Sequence, residues 1–231
     1  MKFVKILLIP YYMLVEVMNI KIVKFIRLVV GDIIRNEKQK PYGVWMYVGL
    51  GGSGKTLSMV EYFERMKKKH PGIKIYTNFG YSGQDGRISC WMDLITIKSK
   101  AGVIFGFDEI SGTFSAKEWK NFPHVLFTLL CQSRKMNKQI VCSAQSYEDV
   151  DVNIRRKCNI IIECRTLMRR WVFQRAFERQ EYERGMENSG TKRRRVRSWR
   201  YSFVGDDELR GKYDTYEQIK QLQELSFEGE E

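Results

Sequence analysis

Short apolar runs recur through the middle of the chain and alternate with longer stretches in which apolar residues recur at helical spacing. A strand that is buried on both faces of a parallel sheet is apolar throughout, so each run has the character of such a strand. Their alternation with helices predicts an α/β fold with a doubly wound, mainly parallel sheet. The predicted strands cover residues 44–48, 73–78, 103–107, 139–143 and 158–163, and one of the predicted helices covers residues 123–135.

The N-terminal segment has a different pattern. In residues 14–34 apolar side chains occupy most faces of a predicted helix, while Lys21, Lys24 and Arg27 form a narrow basic stripe. Such a helix can lie at a membrane surface, pack against a partner subunit or pack on its own core, and the pattern leaves these three open. The uncharged run 6–15 is shorter than the roughly 18 apolar residues of a spanning helix, and no small-residue cleavage site follows it. We therefore expect a protein that is not secreted.

Two C-terminal runs, 169–177 and 195–203, alternate polar and apolar residues and are rich in aromatic side chains. They predict a long β-hairpin whose tip includes residues 185–192. The chain then becomes acidic. The predicted organisation has four parts: an apolar and basic helical segment (1–40), an α/β core (41–165), a basic aromatic hairpin (166–204) and an acidic tail (205–231).

Charge is distributed unevenly over the 231 residues, whose formal net charge is +13. Residues 1–40 carry eight Lys/Arg against three Asp/Glu, residues 165–204 carry twelve against four, and residues 205–231 carry three against nine. Basic blocks on either side of the core suit a polyanion, either nucleic acid or an anionic lipid surface. The alternative is a basic surface that is merely solvated.

The cysteines form no C-x-x-C pair, and the chain has only two histidines. Most of the cysteines lie in apolar runs, which indicates small buried side chains in a reducing cytosol rather than disulfides or zinc ligands. The five are Cys90, Cys131, Cys142, Cys158 and Cys164.

The segment 49–56 between the first predicted strand and the following helix has the pattern G-x-x-x-x-G-K-[ST]. A phosphate cradle requires this context, in which a strand turns into a helix whose first N–H groups and positive dipole end face the phosphates. Lys55 would contact the β- and γ-phosphates, and Thr56 would give its hydroxyl to Mg²⁺. The alternative is a glycine-rich hairpin turn. The other predicted cradle residues are Gly49, Gly51, Gly52, Ser53 and Gly54.

The strand 103–107 ends in two adjacent carboxylates, as a Walker B strand does. Asp108 would hold the Mg²⁺ shell and Glu109 would activate the attacking water as general base. The alternative is a helix N-cap. Gln145 follows the strand 139–143 at the same sheet edge, where it would sense the γ-phosphate or orient water. The segment 49–56 has the pattern of a P-loop. One further predicted strand lies between the strand before this P-loop and the strand before the Asp-Glu pair. This arrangement indicates the ASCE-type branch of P-loop ATPases, which uses a glutamate base.

Residues 41–165 resemble the zonular-occludens-toxin-like family of phage ATPases, which is similar to the FtsK–HerA superfamily of translocases. The resemblance rests on the P-loop, the Asp-Glu pair and the segments 41–44, 76–78, 132–135, 143–145 and 154–155. It implies ATP and Mg²⁺ as cofactors and Gln145 as a sensor. It also implies a homo-oligomeric ring, a hexamer or a pentamer, in which an arginine acts on the neighbour's nucleotide. Arg134, Arg155 and Arg156 all compete for that role.

Filamentous-phage members of this family have a membrane-spanning segment after the ATPase domain, and no such segment is predicted in residues 165–231. A cluster of basic residues near the end of the predicted hairpin combines phosphate-binding charge with neighbouring aromatic rings. The alternative is a hairpin packed on the core whose arginines only confer solubility. The residues expected to contact nucleic acid are Lys192, Arg193, Arg194, Arg195, Arg197, Trp199 and Arg200.

The resemblance therefore implies an oligomeric ATPase that moves or packages the DNA of a phage or mobile element in the host bacterial cytoplasm. Capsid, portal or assembly proteins would be its partners. A second hypothesis is a membrane-associated ATPase for virion assembly and export, bound to the membrane surface through residues 1–34. A third is an ATP-binding scaffold that turns over slowly.

Overall fold

The computed structural model describes residues 22–26, 41–110, 132–187 and 197–214. The chain divides into two units, Met1–Gln39 and Lys40–Glu231. In the first unit, residues 22–26 are helical and expose their apolar side chains. Within the described ranges, no helix has both the length and the apolar character needed to cross a membrane. Predictions for the remainder of 1–40, for residues 123–131 and 188–196, and for the tail after 214 lie outside these ranges.

One sheet of eight strands forms the centre of the second unit in the described part of the chain. Its order is β4-β2-β5-β6-β1-β7-β8-β9. The first six strands in this order, from β4 across to β7, are parallel to one another. The last two, β8 and β9, run antiparallel to their neighbours. A separate antiparallel pair joins β3 and β10. The strands are β1 (Gly43–Val48), β2 (Lys74–Thr77), β3 (Gly80–Tyr81), β4 (Gly86–Arg87), β5 (Val103–Phe107), β6 (Lys138–Ala144), β7 (Cys158–Leu167), β8 (Trp171–Glu178), β9 (Trp199–Val204) and β10 (Tyr213–Asp214).

The helices lie between these strands along the chain and include the predicted helix after the glycine-rich loop. Residues 132–136, at the end of the predicted helix 123–135, are also helical. The helices described over their full length are α1 (Lys55–Lys69), α2 (Asp93–Thr96), α3 (Val152–Lys157), α4 (Arg179–Glu187) and α5 (Asp207–Arg210).

The predicted α/β fold with a mainly parallel sheet is confirmed, and all five predicted strands are present. The strand β6 lies between β1 and β5. Because these three strands are parallel, the residues that follow them meet at one edge of the sheet. This carboxyl edge carries the glycine-rich loop after β1, the Asp-Glu pair after β5 and Gln145 after β6.

Apolar layers cover both faces of the sheet. Neighbouring residues of β1 belong to different layers: Met46 shares a cluster with Phe105, whereas Tyr47 shares one with Phe63 of α1. A Cβ on Gly106 would lie 2.7 Å from the Phe63 ring, so the missing side chain in β5 leaves room for this aromatic ring. The alternation of side chains along each strand thus anchors α1, and with it the glycine-rich loop, on one face.

Three cysteines contribute to these layers as the sequence predicts. Cys142, Cys158 and Cys164 are buried free thiols. Burial raises the pKa of Cys158 to about 12 and that of Cys164 to about 11, so both remain protonated at neutral pH. Cys90 is exposed, and Cys131 lies outside the described residues.

The region after residue 163 differs in part from the prediction. β8 and β9 pair antiparallel, as predicted, but helix α4 lies between them and β8 also pairs with β7. β7 continues to Leu167 and therefore runs through the predicted boundary at 165. The reason is that alternate residues of this extension, Cys164 and Thr166, face the helix α1 and the glycine-rich loop. The two strands consequently extend the central sheet.

Candidate functional site

The glycine-rich loop connects β1 to α1 at the carboxyl edge of the sheet. Gly54 precedes the helix with φ 87° and ψ 24°, a left-handed conformation that glycine adopts without strain. A Cβ on Gly54 would lie 2.7 Å from the hydroxyl of Thr166 in β7, and one on Gly49 would lie 2.9 Å from the Cys164 carbonyl. Thr166 also donates a hydrogen bond to the carbonyl of Ser53, 2.6 Å away. The last residues of β7 therefore pack against the glycine-rich loop and support it.

Lys55 is the first residue of α1, and 7% of it is exposed. Its Nζ donates hydrogen bonds to the carbonyls of Gly49, at 2.8 Å, and Leu50, at 3.3 Å. The same atom lies 3.8 Å from Oε1 of Glu109. The ammonium is thus held between the loop and the end of β5, where a phosphate lying against the loop would meet it.

Thr56 and Asp108 are 52 residues apart in the chain and adjacent in the fold. The hydroxyl of Thr56 donates to Oδ2 of Asp108 at 2.9 Å. Both groups are hard oxygen donors, and Mg²⁺ at nucleotide sites is held by one or two protein oxygens together with phosphate oxygens. The pair fits a Mg²⁺ ion that arrives with a nucleotide.

Glu109 follows Asp108 with φ 49°, which turns the chain sharply at the end of β5. Its backbone N–H donates to the hydroxyl of Ser143 at 2.9 Å, and that hydroxyl donates to Oδ1 of Asp108. Asn78 holds the peptide of Asp108 from the other side: Asp108 N–H donates to Asn78 Oδ1 at 2.8 Å, and Asn78 Nδ2 donates to the Asp108 carbonyl at 3.2 Å. The two carboxylates are therefore oriented by groups from β6 and from the residue after β2.

The sequence alone assigns no role to Asn78 or Ser143. The available signal is a polar residue at the carboxyl end of a buried strand, the same signal that predicts a role for Gln145. Gln145 is exposed at this edge, two residues beyond Ser143. The structure thus brings the predicted residues together in two pairs, Thr56 with Asp108 and Lys55 with Glu109. Gln145 lies at the same edge of the sheet.

The three candidate arginines lie elsewhere. Arg134 stacks over the ring of Tyr42, just before β1, at 5.6 Å. Arg134 and Arg156 line one depression of about 660 Å³ at the amino ends of β1 and β7. Arg155 adjoins Arg156 in α3 and lies over the ring of Tyr147 at 5.4 Å. Arg134 and Arg156 lie at the sheet edge opposite the glycine-rich loop. The Arg155 side chain lies instead over Tyr147, which follows the carboxyl end of β6.

The residues predicted to contact nucleic acid do not all lie on one face of the sheet, because side chains alternate between the two faces along β9. Trp199 and Arg200 are both exposed but are consecutive in the strand, so their side chains are on opposite faces of the sheet. Tyr201 shares the face of Trp199 and donates a hydrogen bond to Glu61 of α1 at 2.8 Å. Arg197 is exposed just before β9. Lys192, Arg193, Arg194 and Arg195 lie outside the described residues.

No protein-family model matches the chain, and none of the curated proteins compared with it matches. Among solved structures, the N-terminal domain of zonular occludens toxin from Neisseria meningitidis is 16% identical, and the match covers 75% of this chain and 99% of that one with a TM-score of 0.53. The genome packaging NTPase B204 from Sulfolobus turreted icosahedral virus 2, in complex with AMPPCP, is 14% identical, with 70% and 97% covered and a TM-score of 0.47. The first likeness shows that the two proteins share a fold, in agreement with the resemblance predicted from the motifs.

Proposed function

We propose that this chain is an ATPase that hydrolyses Mg·ATP and moves or packages the DNA of a phage or mobile element as an oligomeric ring. The observation that carries the hydrolytic part is the 2.9 Å contact between Thr56 and Asp108, with Glu109 and Lys55 beside it. Thr56 and Asp108 are 52 residues apart in the chain. If the glycine-rich segment were only a turn, there would be no reason for this carboxylate to lie against its threonine.

Each residue of the site has a separate role in this proposal. Lys55 and the loop N–H groups bind the β- and γ-phosphates. Thr56 and Asp108 hold Mg²⁺, which when bound neutralises charge on the phosphate oxygens. Glu109 accepts a proton from the attacking water through its carboxylate, and Gln145 orients that water or reports the γ-phosphate.

A ring accounts for the position of the arginines. A side chain at the amino edge of the sheet is across the whole sheet from its own P-loop, whereas a head-to-tail contact would bring it to the nucleotide of a neighbour. Arg134 and Arg156 lie at this amino edge. Arg155, the other candidate, is the neighbour of Arg156 in α3. A hexamer and a pentamer both satisfy this requirement.

DNA as the moved polymer is supported by the basic block at 165–204. The test is the rate of ATP hydrolysis with and without double-stranded DNA, which we expect to be faster with DNA. Neutralising Lys192 to Arg195 should weaken DNA binding and reduce the slope of log affinity against log salt by about one for each phosphate that these side chains neutralise. An unchanged slope would exclude these four residues from the DNA interface.

A second candidate is a membrane-associated ATPase for phage assembly or export. It is favoured by the exposed apolar side chains of Ile22, Val23, Phe25 and Ile26 and by the fold shared with the zonular occludens toxin domain. Flotation of the full chain with anionic liposomes, abolished by deletion of residues 1–34, would support this candidate. In both cases we propose that the protein works in the host bacterial cytoplasm, peripheral to the membrane in the second, with capsid, portal or assembly proteins as partners. The third candidate, an ATP-binding scaffold with slow turnover, would bind ATP without DNA-stimulated hydrolysis.

A further inference from the structure

The sheet continues beyond β7 into β8 and β9, and one face of this extension is open to solvent. This face carries Arg165 of β7, Trp171, Phe173 and Arg175 of β8, and Arg200 of β9; we term it the β7–β9 face. Phe173 lies directly opposite Arg165, and Arg175 lies directly opposite Arg200. Trp171 is 46% exposed and Phe173 40%, although both are large aromatic side chains.

The charge on this face is net positive, with three arginines against one glutamate. Its arginines line a depression of about 470 Å³ together with Phe173, and Glu163 is the acidic residue among the described residues of its lining. Arg175 has Arg200 directly opposite in β9 and Glu163 directly opposite in β7, so one carboxylate is shared by two neighbouring arginines. Like charges directly opposite each other across two strands disfavour a sheet. The side-chain hydrogen bond described for Arg175 goes to the neutral hydroxyl of Ser198, at 3.1 Å. A polyanion would turn this repulsion into a favourable interaction.

The aromatic side chains indicate what kind of polyanion fits. The rings of Trp171 and Phe173 lie 4.8 Å apart with an angle of 33° between their planes. Exposed rings interleaved with arginines bind single-stranded nucleic acid, because unpaired bases stack on the rings while the arginines contact phosphates. A duplex keeps its bases stacked on one another and could use only the arginines.

We infer that the β7–β9 face binds a nucleic-acid strand with unpaired bases. The inference rests on the proposed DNA motor for its class of partner and adds the contact surface and the form of the strand. Phe173 and Trp171 supply the stacking surface, and Arg165, Arg175 and Arg200 contact the phosphates.

The same strands connect this face to the P-loop. Thr166 and Val172 are directly opposite each other in β7 and β8, and they are on the reverse side of the sheet from Arg165 and Phe173. Thr166 bonds to Ser53 at 2.6 Å, and a Cβ on Gly54 would meet Val172 at 3.2 Å. A nucleic-acid strand bound on the β7–β9 face therefore lies one sheet thickness from the glycine-rich loop, so its binding can alter the geometry of that loop.

The test measures the fluorescence anisotropy of a labelled oligothymidylate of about 20 nucleotides, longer than a typical single-domain site, with the full chain in the absence of nucleotide. Phe173→Leu keeps an apolar side chain but removes the ring, and should weaken binding about 5- to 150-fold, whereas Phe173→Tyr should bind like wild type. The double variant Arg175→Ala, Arg200→Ala should reduce the salt slope by about 1.4, at about 0.7 for each phosphate of a single strand that an arginine neutralises. The matched control is Arg87→Ala, an exposed arginine on the opposite edge strand β4.

Three results would overturn the inference: wild-type affinity of Phe173→Leu, equal competition by a duplex of the same length, or dissociation of an oligomer as the main effect of Phe173→Leu. Melting temperatures confirm that each variant is folded. The outcome is separable from the proposed ATPase. A chain that binds the oligonucleotide but neither binds nor hydrolyses ATP would refute the ATPase alone, and one that hydrolyses ATP without binding the oligonucleotide would refute the β7–β9 face alone.

Discussion

Ser143 donates its hydroxyl hydrogen to Oδ1 of Asp108, so the end of β6 sets the orientation of the carboxylate at the end of β5. The other carboxylate oxygen is thereby directed to Thr56. Groups that orient a metal ligand typically change metal affinity or activity by about 10- to 100-fold when they are removed.

Ser143→Ala should therefore lower ATP turnover by about 10- to 100-fold and raise the Mg²⁺ concentration needed for half-maximal rate. Ser143→Thr, which keeps the hydroxyl, should retain most of the activity. Steady-state hydrolysis measured over a range of Mg²⁺ concentrations checks both variants, with Ser89→Ala, at an exposed serine, as control. An unchanged Mg²⁺ dependence in Ser143→Ala would show that the hydroxyl does not position the ligand.

Lys55→Ala should abolish nucleotide binding, because no other described cation lies among the loop carbonyls that the ammonium contacts. Calorimetric titration with a slowly hydrolysed ATP analogue and Mg²⁺ measures this directly. Lys69→Ala removes an exposed lysine at the far end of the same helix and should bind like wild type. Tight binding by Lys55→Ala would end the P-loop interpretation.

Glu109→Gln should bind ATP normally and hydrolyse it about 10²- to 10⁴-fold more slowly, since the amide cannot accept the proton of the attacking water. Single-turnover hydrolysis together with an equilibrium binding measurement separates the two effects. Glu187→Gln, at an exposed glutamate of α4, is the control. Turnover near the wild-type rate would place the base at another residue.

Two glycines of the loop should differ sharply in their tolerance of a methyl group. Gly54→Ala would place Cβ 2.7 Å from the Thr166 hydroxyl at a φ of 87°, whereas a Cβ on Gly51 meets nothing within 4 Å. Gly54→Ala should therefore lose nucleotide affinity and lower the melting temperature, and Gly51→Ala should do neither. Binding and thermal unfolding of the two variants, measured side by side, check the geometry of the loop. Equal tolerance at both positions would contradict it.

Acid sensitivity should depend in part on Asp85. Partial burial acts to raise its pKa, but hydrogen bonds from the Lys74 ammonium and the Ile75 N–H outweigh it and hold the pKa below its usual value. A carboxylate with a lowered folded-state pKa stabilises the fold above its unfolded-state pKa, and this contribution is lost as the pH falls through the folded-state value. Asp85→Asn should thus lower the free energy of unfolding at pH 7 and flatten its decline in acid, whereas Asp149→Asn, at an exposed position, should change neither. Denaturant titrations between pH 7 and acid conditions measure both quantities.

The strands that are buried on both faces were predictable from sequence. The run 103–107 coincides with β5, because a central parallel strand must be apolar at every position. β7 beyond residue 163 was not predictable in the same way. There Arg165 and Thr166 are polar, and they belong to a strand only because the P-loop and β8 provide their partners.

The residues of the candidate site were likewise predictable only in part. Lys55, Thr56 and Asp108 have spacings that are typical of their chemistry, so their contact was expected. The roles of Asn78 and Ser143 depend on the order of strands in the sheet, which places β2 and β6 on either side of β5. No local pattern encodes that order. Trp199 and Arg200 could have been assigned to different faces from their adjacency in an alternating strand, and proximity in sequence was a poor guide to a shared surface.

Glu109 has a left-handed backbone conformation that glycine or asparagine adopts more readily. A non-glycine residue in this region costs on the order of 1 kcal/mol or more, and the surrounding hydrogen bonds must hold it there. Selection for heat resistance alone would consequently favour Gly or Asn at position 109, and the first such replacement would remove the proposed base. Thermostability and turnover therefore make opposite demands on position 109. Laboratory evolution for thermostability should select Gly or Asn there, whereas selection for turnover should retain Glu109.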